Sequence, residues 1–250
     1  MELSLLAQGL LVGIAFCAGL ISSIAGSGGL LTLPALLWCG LPPMTALATN
    51  KVQSALGTLT STFNFFRNGH LNVRSMLPSV TMGIVGSIIG TFTVQAINGA
   101  ILTKLMPLLL LAISLYFLFS RKVTVSDQPP LITSGWFAAT AGLSMGIYGG
   151  FFGPGMGSIM PFLLVWLLGH NLIKATAETK LMILAINGTS AIIFAFSGYV
   201  LWSLALSMAV AQMLGAQLGS SLVMTRGTAL VQPFITIVTL IVALKLLFIP

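Results

Sequence analysis

Two lysines and two glycine clusters are the residues here whose types and spacing could do chemistry. Lys51 sits in the run ALATNKVQS and Lys180 in ATAETKLMI, each early in a long apolar stretch. An ionisable side chain at such a place is costly and by default functional. A buried ammonium needs a negative partner, so the pair points to an anion. Snorkelling toward a membrane surface is the alternative reading for both. The glycine clusters are SSIAGSGGLLTLP at 22–34 and GGFFGPGMGSIMP at 149–161. Glycine lets the backbone turn between helices. The helix that follows presents free N–H groups and the positive end of its dipole, which together attract anions. In the first cluster Ser22, Ser23 and Ser27 add hydroxyls beside Gly26, Gly28 and Gly29; in the second, Gly153 and Gly155 hold the matching places. Tight helix packing alone would also explain these glycines.

Around the lysines, Asn50, Gln53 and Ser54 extend a polar face in the first half of the chain, and Thr179 and Asn187 do so in the second. Glu178 is the only acid inside an expected helix, where it can carry a proton for coupling or pair with Lys174 at i−4. His70 and His170 fall at segment ends and are expected at the membrane interface. Cys17 and Cys39 are isolated in apolar runs and are expected to act as small core hydrophobes. No metal cluster, nucleophile triad or Walker loop is present. Three acids in the whole chain leave an intramembrane enzyme poorly equipped, so no enzymatic activity and no cofactor are expected.

The elements that must position these groups follow from a comparison of the chain with itself. At an offset of 127, Gly19, Gly26, Gly28 and Pro34 fall on Gly146, Gly153, Gly155 and Pro161. At an offset of 129, Lys51, Ser61, Gly69, Gly86 and Gly90 fall on Lys180, Ser190, Gly198, Gly215 and Gly219. Leucine matches are uninformative in an apolar chain, but glycine, proline and lysine matches are not. The expected organisation is a first repeat at 1–120, a polar linker at 121–131 and a second repeat at 132–250. Each repeat shows five apolar segments, at about 3–22, 28–41, 46–66, 75–97 and 100–119, then 132–152, 156–168, 173–197, 201–225 and 229–248. The second of each five is short. About 14 residues reach roughly 21 Å, less than a hydrocarbon core of roughly 30 Å, so it is a short crossing or a re-entrant helix.

Composition sets the class. Of 250 residues, 57% are hydrophobic and only 5% charged, against about 25% charged in soluble domains. The expected fold is therefore an all-α polytopic membrane protein with 8–10 transmembrane helices, and 1–22 is the first span and not a signal peptide. The formal net charge of +7 would suggest nucleic acid in a soluble protein. Here most basic residues stand at segment ends, where they set orientation. If every segment crosses, Arg67, Arg74, Arg121, Lys122, Lys174 and Arg226 share one side, with Lys104 the main exception, which favours two inverted repeats with both termini outside. Gly86-x-x-x-Gly90 and Gly215-x-x-x-Gly219 are expected packing ridges.

The glycine motif, the tripeptide Thr49–Lys51 and the echo FFGPGMGS…AETK resemble the TauE/SafE sulfite-exporter family of membrane permeases over nearly the whole chain. The resemblance implies a multi-pass transporter of a bacterial or archaeal inner membrane, with about eight spans in two halves and sulfite, sulfonates or related anions as substrates. One departure is the stretch LMILAINGTS at 181–190, where the family commonly has several asparagines and only Asn187 stands here. The expected function is a secondary carrier of a small anion working by alternating access. An anion channel and a carrier of small carboxylates are the alternatives. The expected partners are the anion and the lipid bilayer, with a homo-oligomer left open and nucleic acid not expected.

Overall fold

The computed structural model describes residues 3–25, 28–119 and 128–226, and all regular structure among them is helical. The helices are α1 (Leu5–Ala25), α2 (Gly29–Trp38), α3 (Pro43–Arg67), α4 (Val73–Ala96), α5 (Gly99–Phe119), α6 (Ser134–Phe137), α7 (Leu143–Phe151), α8 (Met156–Leu168), α9 (Leu172–Ala195) and α10 (Trp202–Arg226). A π-helical turn, Ala138–Gly142, joins α6 to α7. The expected segment at 229–248, most of the linker, and Gly26 and Ser27 lie outside the described residues. Among the described residues three helices, α1, α4 and α9, are long and apolar enough to cross a membrane. The third segment begins at Pro43, earlier than its apolar run, because proline suits the first helical position.

Helix directions follow from which residues touch. Gly215 lies against Phe16 and Gly219 against Leu20, so α1 and α10 run parallel. Gln212 meets Gln53, and Ser220 meets Asn64, so α3 and α10 also run parallel. In the second group, Gly86 lies against Leu143 and Gly90 against Ile147, which sets α4 parallel to α7. Gly83 beside Met182 and Thr91 bonded to Ser190 set α4 parallel to α9. The two groups oppose each other. Lys51 reaches Asn187 while Phe65 clusters with Ala177, which makes α3 antiparallel to α9. Because α1 and α3 point the same way, α2 and its flanking turns carry the chain back along the bundle. The same holds for α8 between α7 and α9.

Among the described residues two large apolar cores result, beside a small cluster of Phe65, Leu71 and Ala177. One joins residues of α1, α2, α3 and α5 with Leu204, Ala205 and Met208 of α10. The other joins α7, α8 and α9 with Met76 of α4. Each core thus contains a helix from the other half. On α10, Leu206, Val210, Leu214 and Leu218 are exposed at four-residue spacing, a stripe turned outward, as contact with lipid requires. Its opposite face carries the glycines. A Cβ on Gly215 would stand 2.0 Å from the Phe16 carbonyl oxygen, and one on Gly86 2.4 Å from that of Leu143. These helices touch backbone to backbone, the contact that small residues permit.

Candidate functional site: a polar cavity beside two buried lysines

The helices α3 and α9 cross at the centre of the bundle and bring both lysines inside. Lys51 and Lys180 are each 1% exposed, so neither snorkels to a surface. The Lys51 ammonium donates to the Gly149 carbonyl in the last turn of α7 and, at 3.2 Å, to Asn187 Oδ1. The Lys180 ammonium donates to the Ser22 carbonyl near the end of α1. Ser22 and Gly149 are counterparts at the offset of 127, so each lysine caps the same position on the other half's first long helix. A helix C-terminus carries partial negative charge and unpaired carbonyls, which suit a cation. Each bond leaves further donor capacity on its ammonium.

Gly153 explains how Lys51 gains its place. Its φ of +100° is a left-handed conformation, and a Cβ there would lie 2.7 Å from Lys51 Nζ. Glycine is needed both for the turn and for the ammonium beside it. Tyr148 hydroxyl donates to the Pro154 carbonyl and fastens the same loop from below.

Between these groups lies a cavity of about 30 Å³, room for roughly two water molecules. Ser22, Gly29, Asn50, Lys51, Ser54, Gly153, Gly155 and Asn187 line it, and all were singled out from sequence. A Cβ on Gly29 would stand 3.5 Å from Pro154 Cα, so the two glycine loops meet here. Asn50 Oδ1 is held by the Thr32 hydroxyl at 2.5 Å, which fixes its amide.

Other expected residues lie elsewhere. Ser23 is buried and donates to the Ala216 carbonyl at 3.1 Å, tying α1 to α10. Gly28 packs against α1, where a Cβ would meet the Ala18 carbonyl oxygen at 2.6 Å. Thr179 is fully buried away from the lining, and its hydroxyl finds no partner. Lys180 stands behind Ser22 and not on the cavity wall. Glu178 pairs with neither a substrate group nor Lys174. Its Oε2 lies 2.5 Å from His170 Nδ1, and its Oε1 is buried without a partner. His170 is thereby drawn inward, with its side chain 19% exposed.

Sequence reasoning missed two polar side chains of the lining, Thr58 and Gln212. Thr58 is the counterpart of Asn187 at the offset of 129, so the repeat itself could have revealed it. Gln212 is 3% exposed within an apolar helix and bonds to Gln53. An amide in such a run is a signal of its own.

Bundle and site together define a multi-pass helical membrane protein with a buried cationic centre. The family model for the sulfite exporter TauE/SafE matches residues 11–246. A probable membrane transporter protein of Haemophilus influenzae is 40% identical over 242 residues, covering 95% of both chains. The probable membrane transporter protein YfcA of Escherichia coli K12 is 40% identical over 240 residues, covering 96% of this chain and 89% of its own. The probable membrane transporter protein YdhB of Bacillus subtilis is 24% identical over 245 residues, covering 96% of this chain and all of its own. No solved structure matches the chain. The chain belongs to the sulfite exporter TauE/SafE family and is a multi-pass membrane transporter of the cell membrane.

Proposed function

We propose that this chain is a secondary carrier for a small anion, sulfite or a related sulfur oxyanion or organosulfonate, working by alternating access between two inverted halves. One observation carries the reading: two ammoniums are buried at the centre and answered only by neutral oxygens. Among the described residues the only ion pair is Glu178 with His170, so an arriving anion supplies the charge both lysines lack. It would displace the Gly149 and Ser22 carbonyls and take the N–H groups at the start of α8, beside Asn50, Ser54 and Asn187. A cavity of about 30 Å³ is too small for a four-atom oxyanion, so binding must be accompanied by parting of the two glycine loops. That coupling of occupancy to movement is what a carrier needs. The opposed directions of the matched helices α3 and α9 support the inverted arrangement, which places such sites at the repeat interface. The family name supports sulfur oxyanions as the substrate class.

The test is flux in proteoliposomes with Lys51→Met and Lys180→Met. Each is expected to abolish saturable uptake of sulfite while the protein keeps its helical content and elution volume. Wild-type flux in both variants would remove the lysines from the mechanism. The same assay run against thiosulfate, sulfoacetate and small carboxylates identifies the substrate, and stimulation by anion loaded on the opposite side separates a carrier from a channel.

A further inference from the structure

A second hollow, of about 540 Å³, opens where α3 ends and α4 and α9 begin. His70, Arg74 and Lys174 line it, contributed by two separate turns of the chain. His70 and Arg74 are exposed and Lys174 is half-buried. No carboxylate faces them among the described residues, since Glu178 is buried against His170.

Local structure does not ask for these charges. Asn72 caps α4 by accepting from the Arg74 and Ser75 amides, and Asn171 caps α9 by accepting from the Lys174 amide. Arg74 and Lys174 therefore stand in first helical turns, where a cation opposes the helix dipole. Three cationic or ionisable groups around one hollow also repel one another. An orientation signal would be met by lysines and arginines anywhere on this face; it does not require them to converge. The turns themselves do not depend on charge. At the offset of 129 the counterparts of His70, Arg74 and Lys174 are Tyr199, Ser203 and Thr45. The same turn is thus built without any charge.

We propose that this hollow is a second anion site, taking an oxyanion group with at least one full negative charge. Building on the carrier reading above, it gathers substrate at one membrane face. Lys180 lies six residues beyond Lys174 on α9, about 9 Å further into the bundle, so the site stands at the approach to the central lysines. A free oxyanion and the phosphate of a phospholipid share the required chemistry.

The experiment is equilibrium dialysis of radiolabelled sulfite against the full chain in phosphatidylcholine nanodiscs, at low and high salt. Wild type and Lys51→Met should both show a salt-sensitive class of site. Arg74→Gln/Lys174→Gln should weaken that class about tenfold, and single Arg74→Gln should fall between. Arg74→Lys/Lys174→Arg should restore it. An unchanged isotherm in both Gln variants overturns the site. Replacing part of the lipid with phosphatidylglycerol separates the sources: competition identifies the lipid phosphate, and its absence the free anion, and either result supports an oxyanion site. In flux assays, a raised KM at unchanged kcat in the double Gln variant supports the gathering role, and an unchanged KM removes it. Sulfite held at the hollow by a chain with no flux would sink the carrier reading and leave the site standing.

Discussion

The two halves share a frame and differ in what they hang on it. Frame positions match residue for residue: Lys51 and Lys180, the carbonyls of Gly149 and Ser22 that receive them, and the seam glycines Gly86 and Gly215. Apart from the polar pair Thr58 and Asn187, positions on and beside the cavity wall mostly do not match. Thr32, Asn50, Gln53 and Ser54 in the first half stand where the second has Ile159, Thr179, Met182 and Ile183. Gln212 in α10 corresponds to Gly83 in α4. Most of the side-chain polarity around the centre therefore comes from one side, α3 and its neighbours α2 and α10. Positions that set backbone approach are constrained in both copies, because a misplaced methyl there has nowhere to go. Side chains facing the cavity were free to diverge.

The strongest way to break this comparison is to attack the frame. Gly86→Ala and Gly215→Ala each place a Cβ inside a neighbouring carbonyl's contact distance, so α4 must part from α7 and α1 from α10. Both should cost more than the about 1–3 kcal/mol of ordinary overpacking and lower the melting temperature in detergent to a similar degree. A large drop in one with none in the other would show that the two seams are not equivalent.

A smaller effect is expected at Gly153→Ala. The left-handed backbone costs about 1–2 kcal/mol for an alanine, and the methyl displaces the Lys51 ammonium. The protein should fold with a modestly reduced melting temperature, yet lose most of its sulfite flux. Full flux would show that Lys51 does its work away from Gly149.

The smallest effect is a partial recovery, and it sharpens the contrast between linings. Gln212→Gly strands the buried Gln53 amide, which should cost about 1–3 kcal/mol. Adding Gln53→Met copies the Met182–Gly83 arrangement of the other half and should recover part of that loss in chemical denaturation. No recovery would mean the two linings are not interchangeable within one frame.

The helices and the central cluster were legible in the sequence because apolar length, glycine and lysine carry their meaning locally. Lys51, Asn50 and Gly153 announce themselves by type and by their place in apolar runs. Whatever depended on the partner helix was not legible. Ser22 and Ser23 are neighbours in sequence, yet one reaches the cavity and the other is turned to α10, because adjacent residues on a helix face about 100° apart. Gly28 and Gly155 are counterparts, but Gly28 serves packing against α1 and Gly155 the cavity wall. Helical spacing offers Glu178 only Lys174 as a neighbour to pair with, whereas its partner His170 stands just before α9, where the chain turns in from α8. Helical periodicity does not extend across a turn.

The pairing of α1 with α10 also orders events in time. About 200 residues separate the two helices, and at roughly 5–20 residues per second their synthesis is set apart by about 10–40 s. Throughout that interval α1 sits in the bilayer without its seam partner, with the face around Gly19 against lipid and the Ser23 hydroxyl lacking the Ala216 carbonyl it will bond. Insertion is thus vectorial while assembly is not, and α1 waits for α10 long after its own insertion.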